Sequence, residues 1–285
     1  MAYTHKVDRF MVYAILALLV WVALPLGSNH PWSAMLFVSI TAVLSSVWAW
    51  FNLRHQSKHT KEHRAFKVAK PLFMLLLFTQ VWICLQWLLG VSQNNSQTFY
   101  YLLLGCAYSL LYLLIVNVFT SRKKLTLLLL TLIISGACQG FYGSAMTLSG
   151  LEWHFFADKV AYRGHATGTF VNRNHFAGYL EMTIACGIGL LLALRTGESL
   201  TLRNFIELLI GPKAKIRLSL VIMVIALVMS HSRMGNTAFF ASLMVVGSVF
   251  ILINKQHRLR NSLILISIVV IDMLVISQYF GLEQL

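Results

Sequence analysis

Four cations stand apart in this chain. Of its 23 Lys and Arg residues, Lys159, Arg163, Arg173 and Arg233 gather around two short motifs, while the other 19 fall in segments that alternate with long apolar runs. The first motif, Gly168-Thr-Phe-Val-Asn-Arg-Asn-His-Phe-Ala-Gly-Tyr-Leu-Glu-Met182, reads as a loop running into a helix, with Asn172 or Asn174 as the N-cap. A helix start offers backbone N–H groups and a partial positive charge, to which Arg173 adds a full one, and together these favour an anion. The second motif is Ser230-His231-Ser232-Arg233-Met234-Gly235. A guanidinium presents a planar fork that chelates two phosphate oxygens and stays charged near hydrocarbon. His175 and His231 flank the two arginines, where an imidazole can accept a proton. The plainer alternative is that Arg173 snorkels to lipid phosphates and the histidines touch headgroups.

Other chemistries find less support. His154, His165, His175 and His231 with Glu152 and Asp158 lack the short spacings of a metal site, so no metal and no cofactor is expected. There is no P-loop, dinucleotide glycine fingerprint or nucleophile elbow. Glu181 and Asp272 lie inside apolar runs; such acids either relay protons in a transporter or stay protonated and hydrogen-bonded.

The elements that must carry these motifs are membrane helices. With 58% hydrophobic and 11% charged residues over 285 positions, the chain has too much apolar surface for one soluble core. A span needs about 20 mainly apolar residues to cross about 30 Å of hydrocarbon, and nine runs approach this: 10–27, 32–52, 71–90, 99–119, 125–145, 174–194, 218–231, 235–253 and 262–280. The expected fold is therefore all-α, a single polytopic transmembrane helical bundle over 1–285. Threading nine helices puts the 19 remaining cations on one side, which the positive-inside bias makes the cytoplasm, with the N-terminus there and the C-terminus periplasmic. The same bias accounts for the +14 formal charge without nucleic acid. The stretches Arg54–Lys70 and Arg195–Arg217 become cytoplasmic connectors, the latter with an amphipathic turn at Asn204–Pro212. The outer loop 146–173 and the turn 230–235 form the candidate site. Asn174, Gly178, Glu181 and Ala185 recur on one helix face as a small, polar stripe expected to face other helices. Cys84, Cys106, Cys138 and Cys186 lie in apolar runs as packing residues, with no disulfide framework.

These two motifs, about 60 residues apart, resemble the O-antigen ligase and polymerase superfamily, which includes lipopolysaccharide O-antigen ligases, Wzy-type polysaccharide polymerases and membrane oligosaccharyltransferases. The resemblance implies a multi-pass glycosyltransferase of the bacterial inner (cytoplasmic) membrane, acting without metal in surface polysaccharide biosynthesis. Its donor would be an undecaprenyl-diphosphate-linked glycan, and its acceptor a hydroxyl on a lipid, polysaccharide or protein at the periplasmic face. Carried onto this chain, Arg233 would hold the donor diphosphate, with Arg173, Arg163, Asn172 and Asn174 assisting. Preorganised cations would stabilise the charge growing on the departing diphosphate. Members usually continue into a large periplasmic loop with a required His, followed by further helices. This chain stops at Leu285, so the resemblance implies a truncated member or a second polypeptide supplying the remainder, and leaves His231 or His175 as the candidate base. The competing readings are a transporter or lipid- or anion-binding membrane protein using the same cations, and an inactive truncated member.

Overall fold

The computed structural model describes residues 2–54, 64–154, 157–194 and 214–253. Among them, eight helices follow one another: α1 (Ala2–Ala23), α2 (Pro31–Arg54), α3 (Arg64–Leu88), α4 (Asn95–Val118), α5 (Arg122–Ser149), α6 (Arg173–Ala193), α7 (Ala214–Met229) and α8 (Arg233–Ile253). Two short strands, β1 (Trp153–His154) and β2 (Ala157–Asp158), pair antiparallel between α5 and α6. Five of the helices are long and apolar enough to cross a membrane, within α2, α3, α4, α5 and α6. The chain is a multi-pass membrane protein. With 16 residues, α7 is about 24 Å long, shorter than the hydrocarbon it would cross.

The helix ends follow local chemistry. Pro31 opens α2, where its missing N–H costs nothing. Asn94 caps α4 by accepting from Gln97 N at 3.1 Å, and Ser121 accepts from Lys124 N at the start of α5. Two expected boundaries move: residues 64–70, read as connector, are the first turns of α3, and the expected loop 146–173 shrinks to 150–172 because α5 runs through Ser149 and α6 starts at Arg173. The ninth run with Asp272, the turn at Asn204–Pro212 and the cations Lys255, Arg258 and Arg260 lie outside the described residues.

The chain divides into two compact units, Met1–Ser135 and Gly136–Leu285. In the first, Met11, Ile15 and Leu18 of α1, Phe37 and Leu44 of α2, and Ala107 and Leu114 of α4 form one apolar core. The α3 helix packs on α4 and leaves Leu75, Phe78, Trp82 and Leu85 exposed, an all-round apolar surface suited to lipid.

In the second unit α6 packs on α7 and α8. Its buried face is Phe176, Ala177, Leu180, Thr183, Ile184, Gly187 and Leu190. The expected stripe holds in part: Asn174 and Glu181 meet the start of α8, whereas Ala185 is exposed and a Cβ on Gly178 would meet nothing within 4 Å. A small-residue stripe lies on α5. A Cβ on Gly136 would strike the Thr183 and Met223 side chains, one on Gly140 would lie 3.2 Å from Ala226 Cβ, and one on Gly143 2.6 Å from Gly168 N. These glycines recur at i, i+4 and i+7, so one face of α5 lets neighbouring backbone approach closely.

Candidate functional site

The loop 150–172 is held against the helices by its backbone before any charged side chain acts. Gly168, at φ +54, occupies space that a Cβ would contest with Gln139 Oε1 at 2.6 Å and Phe176 at 2.8 Å. That close passage lets Thr169 N donate to Gln139 Oε1 at 3.0 Å while Gln139 Nε2 donates to Thr169 Oγ1 at 2.9 Å, both residues being buried. Further upstream, Ala166 N donates to the Met229 carbonyl at 2.9 Å, tying the loop to the end of α7.

The loop's own fold is organised by an ion pair. Lys159 is buried, and its ammonium lies 2.6 Å from Glu152 Oε2 and donates also to the His165 carbonyl. Gly164 N donates to the other carboxylate oxygen at 2.6 Å. Burial resists ionisation of Glu152, but the Lys159 hydrogen bond, the Gly164 N–H and the charges of Lys159 and Arg163 together outweigh it and hold the carboxyl below its ordinary value. Lys159, one of the four cations set apart in the sequence, thus has its charge met by Glu152 within the loop. Arg163 is exposed, and its Nε caps the Lys159 carbonyl at 3.0 Å.

The two motifs meet at the α6 start. Asn172 is the N-cap, extended at φ −107 and ψ 124, accepting from Asn174 N at 2.7 Å. Asn174 is not the cap: its Oδ1 accepts from Ser232 Oγ at 2.9 Å. Ser232 in turn starts α8, accepting from Gly235 N. A Cβ on Gly235 would lie 2.7 Å from Ala177 Cβ and 3.1 Å from Glu181 Oε1, so α8 begins flush against α6.

Arg173 turns back over the loop. Its guanidinium lies over the Tyr162 ring at 5.4 Å, and Nη1 stands 3.3 Å from His165 Nε2. The His165 ring meets the His231 ring edge-on, centroids 4.8 Å apart, and His231 Nδ1 lies 2.9 Å from the Met229 carbonyl. Desolvation, then the charges of His231, Arg173 and Lys159, push His165 below the ordinary histidine value, with Glu152 opposing. His154 is lowered as well, again chiefly by burial. Glu152, Tyr162 and His231 all adopt left-handed backbone, at φ 48, 57 and 51. Among the described residues, the buried polar atoms at this end without a hydrogen-bond partner include Arg173 Nε, His165 Nδ1, His154 Nδ1 and both amide atoms of Asn236, which is 2% exposed.

Arg233 opens α8 with an exposed side chain, and His175 is exposed two positions beyond Arg173. The structure thus links Arg173 to His231 through His165 and Asn174 to Ser232, and Arg233 and His175 adjoin those residues in the chain. Sequence reasoning weighed His165 only as a metal ligand and did not single out Tyr162, Gln139 or Asn236, nor Ser232 within its motif. The signal for His165 was present: it is a titratable residue three positions before the paired Gly168. Among the described residues no set of three His, Cys, Asp or Glu side chains gathers to hold a metal ion. The chemistry available here is anion binding by guanidinium and helix-start N–H groups beside imidazoles. No family model, curated protein or solved structure matches the chain.

Proposed function

We propose that the protein is a membrane glycosyltransferase of the O-antigen ligase and polymerase type. It transfers a glycan from undecaprenyl diphosphate to an acceptor hydroxyl at the periplasmic face of the bacterial inner membrane. The observation that carries this reading is the Ser232 Oγ to Asn174 Oδ1 bond of 2.9 Å. It sets the residues next to Arg233 and next to Arg173 side by side, so that both motifs serve one locus.

In the reaction, the acceptor oxygen forms a bond to the anomeric carbon as the glycosyl–phosphate bond breaks, and the departing diphosphate takes the electron pair. Arg233, exposed at the α8 start, and Arg173 stabilise that charge. The N–H groups of the α6 start, ordered by Asn172, add to it, and Arg163 supplies long-range attraction from the loop. The acceptor's proton passes to an imidazole. With Nδ1 against the Met229 carbonyl, His231 carries its lone pair on Nε2, the nitrogen that a base would use. His175 is the second candidate.

The test is glycan transfer in membranes containing Arg233→Ala or Arg173→Ala, with insertion checked separately. Loss of product from inserted protein is expected. Wild-type product from both variants would overturn the reading and favour an anion-binding protein without bond making.

A further inference from the structure

We infer that His165 is the proton-accepting partner of Arg173 in anion binding: a diphosphate oxygen enters between Arg173 Nη1 and His165 Nε2, and its binding carries a proton onto that imidazole nitrogen. The inference rests on the diphosphate locus proposed above and names how that locus responds to pH.

The argument starts from donor and acceptor inventories. A guanidinium has no acceptor, so at 3.3 Å from Arg173 Nη1 the His165 Nε2 must be the accepting nitrogen. The imidazole is then neutral, with its proton on Nδ1. That proton is buried and lacks a partner, as does Arg173 Nε–H. Each side chain of this contact therefore carries a second donor, directed away from the contact, that has no partner, and unmatched buried donors are uncommon because each forfeits a hydrogen bond. What the locus lacks is acceptors, and a diphosphate brings several oxygens, one for the Nη1–Nε2 gap and others for the donors around it.

The groups facing His165 fix the sense of the response. Arg173 approaches from α6, His231 from the α7–α8 turn, and Lys159 from the loop; Glu152, the opposing charge, is itself engaged by Lys159. Without an anion, a proton on Nε2 would set two donors against each other beside other cationic or cation-forming groups. With an oxygen between them, both donors are satisfied and the added charge is neutralised. Anion binding and protonation of His165 therefore promote each other, and the coupling is reciprocal. The anion-free imidazole titrates below its ordinary value and the bound one above that. Between those two points, affinity rises as pH falls.

The experiment uses the full chain in phosphatidylcholine nanodiscs and measures inorganic pyrophosphate binding from pH 8 to 5.5. Wild type should tighten with falling pH more steeply than His165→Gln, by up to about tenfold per pH unit, the limit for one proton. Pyrophosphate's own titration is common to both proteins. His165→Asn is a second variant that also keeps an acceptor and takes no proton; it should match Gln. Parallel slopes in wild type and both variants, with binding retained, would overturn the proton linkage alone. Absence of pyrophosphate binding at every pH would overturn the linkage and the diphosphate locus together. With phosphatidylglycerol as the nanodisc lipid, retained affinity supports the diphosphate assignment. Displacement would give the locus to a headgroup phosphate and overturn that assignment.

Discussion

Both units bury apolar side chains, but they differ in the polar ones. Among the described residues, the first buries the small hydroxyls of Ser33, Thr41, Ser109 and Ser135, whereas the polar groups buried in the second include an ammonium and two amides. The first fills its interior with Met11, Ile15, Leu18, Phe37 and Leu114, and its Lys124–Asp8 pair stays partly open to solvent, at 23% and 45% side-chain exposure. The second buries Lys159, Gln139, Thr167, Thr169, Ser230, Ser232 and Asn236. Both are built from similar helices, so the contrast is one of purpose: buried polar groups demand geometry and reward it only when each finds its partner. The first unit is packed as support, and the second is assembled around a set of directed contacts.

That contrast can be broken most sharply at the ion pairs. Lys159→Ala leaves the Glu152 carboxylate, 15% exposed, without the buried ammonium and should cost about 3 kcal/mol. Lys124→Ala, at the partly exposed pair, should cost about 0–1 kcal/mol. Thermal unfolding and protease cleavage within 150–172 report both, and equal losses would erase the distinction. Next in size, Arg173→Ala or Arg233→Ala should lower glycan transfer about 10²–10³-fold, the range for losing one preorganised charge-stabilising donor, whereas Lys124→Ala should leave transfer unchanged.

Glycines sharpen the comparison further. Gly168→Ala introduces a Cβ against Gln139 and Phe176 at positive φ and should destabilise by about 1–3 kcal/mol through overpacking, with a further cost from the backbone of about 1 kcal/mol. Gly105→Ala in the first unit meets only the far end of the Gln80 side chain, which can swing away, so its cost should stay under about 1 kcal/mol. Equal melting shifts would mean that the loop accommodates the methyl by moving.

The smallest effect is that of pH. His165 and His154 titrate below their ordinary value when folded, so the unfolded chain binds the extra protons. Their contribution is complete above about pH 6.5 and is lost as pH falls through the folded values. Glu152, also lowered, contributes above the ordinary carboxylate range and is lost only in stronger acid. Protease sensitivity of the loop should therefore rise in two acid steps, and His165→Gln should diminish the first while leaving the second.

Five of the nine expected spans, those within α2 to α6, were legible because hydrocarbon imposes length and composition on each helix. The cap at Asn172 followed from its residue type. The stripe on α6 was legible only at Asn174 and Glu181, and the closely approached glycines of α5 were not, because spacing reveals a face without saying what lies opposite; Phe176 and Leu180 take the interior of α6. Nor could spacing pair Glu152 with Lys159, or His165 with His231: those contacts depend on the turns at Gly164 and Gly168. Asn174 with Ser232, and Lys159 with Glu152, are likewise contacts that the sequence does not announce.

The left-handed backbone at Glu152, Tyr162 and His231 sets durability against reactivity. Each would sit more comfortably as glycine, by about 1 kcal/mol, yet each contributes a carboxylate, an aromatic face or an imidazole that glycine lacks. His231→Gly should thus relax its tight turn while silencing transfer, the trade-off expected where strain is retained for function. Selection for heat resistance alone would be drawn toward such changes and would yield a sturdier, inert protein.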